Sequence, residues 1–141
     1  LISQRAQPHI SGPQGWFEST TRAAGYTATM LNANLVPQVI DGDWQLTTGY
    51  KIGKKLDIDS RDVTALFIAN DRMSIGFLHA MRERAIEVPK RLSVIGFDDL
   101  EETAYTSPPL TTFISDSPRR WRFPSSLVMQ SRLLHTHPKK S

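Results

Sequence analysis

The 141-residue sequence contains no cysteine, which excludes disulfides and thiolate metal sites and fits a reducing, cytoplasmic setting. It has no apolar run near the roughly 18–20 residues that a membrane-spanning helix needs, and no secretory leader pattern is visible. The short motifs of common catalysts are missing too. There is no Gly-x-Ser-x-Gly elbow, no phosphate-binding glycine loop, no His-Glu-x-x-His and no paired-cysteine pattern. Gly12-Pro13-Gln14-Gly15 is too short a glycine cluster to cradle a phosphate. His135 and His137 have no neighbouring carboxylate or thiolate with which to complete a metal site. Enzymatic chemistry, a metal and a cofactor are therefore not expected.

The formal net charge of +3 is misleading about partners. Six of the 17 Lys and Arg residues (Arg119, Arg120, Arg122, Arg132, Lys139, Lys140) lie after Asp116, where there is no acid. Residues 1–116 carry the other 11 bases against all 14 acids. The body is mildly acidic, so the global charge is no footprint of nucleic-acid binding. We expect one domain over 1–116 and an atypical basic tail over 117–141. The tail holds three prolines and little periodicity outside Leu127–Leu134, and it reads as disordered or translated out of frame.

What is present is alternation. Val63 to Ala69 is a continuous apolar run, as expected of a strand covered on both faces by helices. Leu92 to Ile95, closed by Gly96, is a second. Between them Met73, Phe77, Ala80, Met81 and Ala85 recur at helical spacing, with Arg72, Arg82, Glu83 and Arg84 on the wet side. Asp71 is placed to cap this helix and Val88-Pro89 to stop it. Upstream, Pro8 to Ser11 is a short strand, Glu18 to Asn32 a helix and Leu35 to Ile40 a strand. A helix follows from Leu46 to about Leu56, weakened by Gly49 and Gly53 at up to about 1 kcal/mol each. Downstream, Glu101 to Tyr105 forms a helical turn and Leu110 to Ile114 a last strand. The alternation predicts an α/β fold with a doubly wound, mostly parallel sheet.

Such sheets bind ligands outside the carboxyl ends of their strands. Here those ends carry Gly12-Pro13, Asp43-Trp44, Asn70-Asp71 and Asp98-Asp99. Carboxylates and amides bond hydroxyl groups, and an indole covers the apolar face of a sugar. The crevice is predicted to read a polyol.

The same residues resemble the LacI/GalR-type transcriptional regulators. The resemblance rests on Ala69-Asn70-Asp71, Met73-Ser74-Ile75-Gly76, Val88-Pro89, Ser93-Val94-Ile95-Gly96-Phe97-Asp98-Asp99 and Pro108-Pro109-Leu110-Thr111-Thr112, in order and at matching spacing. Arg22-Ala23-Ala24-Gly25-Tyr26 looks like the family's R-x-x-G-[FY] helix, and Gly42-Asp43-Trp44 its G-D-[WF] segment. The resemblance covers roughly residues 8–114. It implies a periplasmic-binding-protein-like lobe, mainly the C-terminal one, that is incomplete against the family's two-lobed effector domain. Carried over position by position, Arg22 grips effector oxygens with its guanidinium fork, Trp44 stacks on the ligand, and Asn70 and Asp98 bond its hydroxyls.

The resemblance further implies a sugar or sugar-derived effector and a homodimer through the C-terminal lobe. Operator DNA would be read only by a helix-turn-helix that these 141 residues do not contain. The alternative is a periplasmic sugar-binding protein of a transport system, which shares the two-lobed fold. A small α/β enzyme would need a nucleophile that the motifs do not supply.

Overall fold

The buried apolar runs become the centre of a parallel sheet. The computed structural model describes residues 6–114; the expectations for the 117–141 tail lie outside the described residues. Five strands, β1 (His9–Ile10), β2 (Val39–Ile40), β3 (Ala65–Ile68), β4 (Ser93–Phe97) and β5 (Thr111–Phe113), pair in the order β2-β1-β3-β4-β5, all parallel. One row of the register runs Val39, His9, Phe67, Ile95, Thr111 across the sheet. The chain reverses its direction of progress between β1 and β3, which opens a crevice at their carboxyl ends.

Helix α1 (Phe17–Asn32) covers one face, and α2 (Leu46–Lys55) and α3 (Asp71–Glu83) cover the other. Side chains of a strand alternate between faces, and here they sort accordingly. Leu66, Ile68 and Val94 join Met73, Phe77 and Met81 of α3 in the larger core. Phe67, Ile95 and Phe97 meet Tyr26 and Met30 of α1 in the smaller. A short 3-10 turn (Glu101–Tyr105) links β4 to β5. Among the described residues no helix is long and apolar enough to cross a membrane.

Three local expectations need correction. Four of the five strands are shorter than expected, because pairing stops where a neighbour ends, whereas β4 runs through Gly96 to Phe97 instead of closing there. A Cβ at Gly96 would collide with the Asp71 carboxylate, so the missing side chain admits that group beneath the sheet. Asp71 is not the cap of α3. Asn70 occupies the extended N-cap position and its Oδ1 accepts from the Met73 amide at 3.0 Å. Finally, α3 ends before Val88-Pro89 is reached. Ala85 adopts φ +58°, Ile86 N–H donates to the Met81 carbonyl at 2.9 Å and Ala85 N–H to that of Arg82 at 3.1 Å. This is the paired closing bond of a Schellman turn.

The glycines that weaken α2 in isolation are explained by its neighbour. Gly49 lies against the backbone of Met73, Gly53 against Ala80, and Gly76 of α3 against the Leu46 carbonyl, so the two helices meet backbone to backbone. Close approach outweighs helix propensity at these positions. On the other face the Tyr26 hydroxyl donates to the Gln7 carbonyl at 2.7 Å and accepts from the Gln38 amide at 3.1 Å. Those bonds tie α1 to the entries of β1 and β2. Beside it, buried His9 places Nδ1 2.9 Å from the Phe67 carbonyl and stacks on the Phe67 ring at 4.6 Å.

Gly76→Ala is expected to destabilise the fold by about 1–3 kcal/mol in urea melts, the overpacking cost exceeding the helix-propensity gain of up to about 1 kcal/mol. Burial pushes the His9 pKa from 6.5 down to about 4; its bond to the Phe67 carbonyl opposes this and the Arg22 charge adds to it. The unfolded chain therefore binds the proton more readily. Stability is expected to hold above pH 6.5 and to decline toward pH 4 by roughly 3 kcal/mol. His9→Phe should flatten that part of the pH profile in denaturation measurements.

Candidate functional site

The four residues singled out from the sequence meet at the carboxyl edge of the sheet. Arg22 lies in the second turn of α1 and reaches over the strand ends, where one terminal nitrogen donates to the Ala69 carbonyl at 2.7 Å. The other lies 3.6 Å from Asp98 Oδ1. The guanidinium carbon sits 3.8 Å from the centroid of the Phe97 ring and 5.6 Å from that of Trp44. Asn70 follows β3, caps α3 with its oxygen and donates through Nδ2 to the Trp44 carbonyl at 3.2 Å. Its side chain is thus a brace between two rim segments.

Trp44 precedes α2 at φ +75°. Asp43 holds that turn, accepting from the Gln45 amide at 2.9 Å and the Thr48 hydroxyl at 2.8 Å. The indole then lies flat on Gly12, where any Cβ would enter the ring. Asp98 and Asp99 follow β4 at φ +123° and +61°. Left-handed backbone at non-glycine residues costs of order 1–3 kcal/mol each, and three such residues cluster at this rim.

Asp71 keeps the Asp98 loop in place. Its buried carboxylate accepts from the Leu100 amide at 2.9 Å and from the Thr112 hydroxyl at 2.6 Å, joining α3, the β4 loop and β5. Burial raises its pKa, opposed by the bonds from Thr112, Leu100, Phe97 and Asp99. Burial raises the Asp98 pKa as well; Arg22 counteracts this and Asp71 reinforces it. Arg22 is lowered by burial and supported by Asp98, Glu18 and Asp71. The edge is a coupled arrangement of one seated cation and two carboxylates, with an indole alongside.

Motif matching named Arg22, Trp44, Asn70 and Asp98 but not the groups that seat them. Phe97 and Asp71 lie inside the matched motifs, yet their roles arise from partners far along the chain. Trp16, just before α1, stands edge-on to Trp44 with centroids 6.2 Å apart at 74°. Its only signal in the sequence was an aromatic at the start of a helix. Among the described residues no group of three His, Cys, Asp or Glu side chains is placed to hold a metal. Asp71→Ala should cost about 1–3 kcal/mol in chemical denaturation by stranding the Leu100 and Thr112 donors, while Asp98→Ala, at the exposed end of the loop, should cost less.

Known proteins share this fold. The profile of the family described as "Periplasmic binding protein-like domain" matches residues 4–119. The HTH-type transcriptional repressor PurR of Vibrio campbellii is 35% identical over 104 residues, covering 70% of this chain and 31% of that protein. The ribose operon repressor of Escherichia coli is 33% identical over 106 residues, covering 73% and 32%. The Lac repressor bound to ONPG in its repressed state superposes with a TM-score of 0.74 at 25% identity, covering 93% of this chain and 40% of that one. A LacI-family regulator from Burkhoderia phymatum gives 0.71 at 28% identity, over 91% and 46%. The chain spans about a third of the length of the sequence relatives it matches. Those relatives are named as transcriptional repressors, not as catalysts, in keeping with the absence of catalytic motifs. The chain belongs to the periplasmic binding protein-like domain family, homologous in sequence and structure to the effector-binding domain of LacI/GalR-type transcriptional regulators.

Proposed function

We propose that residues 1–116 are a partial effector domain, mainly its C-terminal lobe, of a bacterial repressor-type regulator acting in the cytoplasm. The lobe binds a sugar or sugar-derived effector at the edge built by Arg22, Trp44, Asn70 and Asp98, and pairs with a second copy in a homodimer. Operator DNA is contacted by a separate helix-turn-helix. The observation that carries the reading is the convergence of those four residues on the crevice between β1 and β3. Those residues come from four separate segments of the chain and meet at one edge of the sheet. In a two-lobed protein, an effector that binds the closed arrangement more tightly than the open one shifts the population by that difference in affinity. The transport-protein reading predicts the same crevice, and the repressor names of the relatives favour the regulator.

In a nuclear magnetic resonance titration with free sugars at millimolar concentrations, at least one is expected to shift the amides of Trp44, Asn70 and Asp98 in a saturable way. Asp98→Ala should weaken that binding about 10- to 100-fold, the worth of a charge-assisted hydrogen bond. Shifts scattered away from this edge, or none from any sugar, would count against the proposal. In gel shifts the 141-residue chain is expected to give no specific, salt-robust complex with duplex DNA.

A further inference from the structure

The rim divides its charges unequally between framework and ligand space. Arg22 is largely enclosed, its side chain 13% exposed, with one nitrogen on the Ala69 carbonyl, another facing Asp98 and its plane over Phe97. Its positive charge is used to seat the edge. Asp98 is the partner that faces outward, with its side chain 39% exposed, and exposed Asp41, Asp43 and Asp99 stand on neighbouring rim segments. Asp71 adds negative charge from behind. Against these, exposed Arg72 lies in the first turn of α3. A ligand lying on Trp44 therefore meets acceptors and negative potential, which favour hydroxyl donors and oppose phosphate or carboxylate groups.

Trp16 is the second element. It is 55% exposed, unusual for so large an apolar side chain, yet its backbone is held by the helix it starts, through its carbonyl and the Thr20 amide at 2.9 Å. Its edge-on placement beside Trp44 makes a right-angled apolar corner. One indole covers the flat face of a ring, and the other covers the ring's rim or a substituent.

Building on the effector reading above, we infer that Trp16 completes the site as a second aromatic wall, and that the site admits uncharged cyclic polyols while rejecting their phosphate esters and uronic acids. Asp98 accepts from the ligand's hydroxyls, and Arg22 acts as the positioning residue that holds its carboxylate in place.

The test titrates the 141-residue chain with free hexoses and pentoses, their phosphate monoesters and the corresponding uronic acids, reading amide shifts and tryptophan fluorescence. The best neutral sugar is expected to bind at least about tenfold more tightly than its own phosphate ester, a difference that corresponds to about 1.4 kcal/mol. Trp16→Ala should weaken the neutral sugar about 5- to 20-fold with an unchanged melting temperature, because the ring is exposed. Asp98→Asn should weaken the neutral sugar and narrow its advantage over the ester. Preference for the phosphate ester would overturn the charge selection while leaving the effector reading standing. Unchanged affinity in Trp16→Ala would overturn the second wall. Failure of every sugar, charged or neutral, would remove the effector reading and this inference together.

Discussion

A guanidinium can be held against the interior of a small domain only if its donors are answered and its charge is balanced. Arg22 meets that condition through the Ala69 carbonyl, the Asp98 carboxylate and the face of Phe97. Those partners lie at the ends of β3 and β4, so a single side chain of α1 welds three segments that are distant along the chain. Asp71 completes the weld from the opposite face by accepting from Leu100 and Thr112. Removing either group leaves buried donors or acceptors unmatched, which costs more than the bonds themselves contribute. The rim keeps its shape because its polar atoms have committed partners.

That commitment also accounts for the strained backbone. Trp44, Asp98 and Asp99 occupy left-handed conformations that suit glycine better. Each is flanked by side-chain bonds that leave the chain little choice: Asp43 gathers the turn at Trp44, and Asp71 with Thr112 gathers the loop at Asp98. The stability for this comes from elsewhere, from the apolar faces of β3 and β4 and from the close crossing of α2 and α3 at Gly49, Gly53 and Gly76. A tightly packed lower half supports a polar upper edge.

Much of this was legible in the residues. Alternating apolar runs and helical spacings located every strand and helix of the described region, though strand ends were placed too generously. An apolar run records burial, whereas pairing depends on where the neighbouring strand stops. The candidate residues Arg22, Trp44, Asn70 and Asp98 were legible because Arg22 sits in a helix motif and the other three in motifs near strand ends, and the structure brings them together. The cap of α3 was misplaced by one residue, since Asn and Asp are equally good capping residues and only the backbone angles distinguish them. Gly49 and Gly53 read as weaknesses because propensity is a property of a helix alone. Their purpose needs the second helix.

By itself, the sequence determined the order of elements, the parallel α/β class and the chemical kinds gathered at the crevice, because periodicity and strand-end residues are local properties of the chain. Tertiary structure alone decided which charge is enclosed and which is offered, that Asp71 serves the β4 loop instead of its own helix, and that Trp16 stands beside Trp44. Those outcomes depend on distances between segments tens of residues apart. Such distances are set by packing, and no local pattern records them.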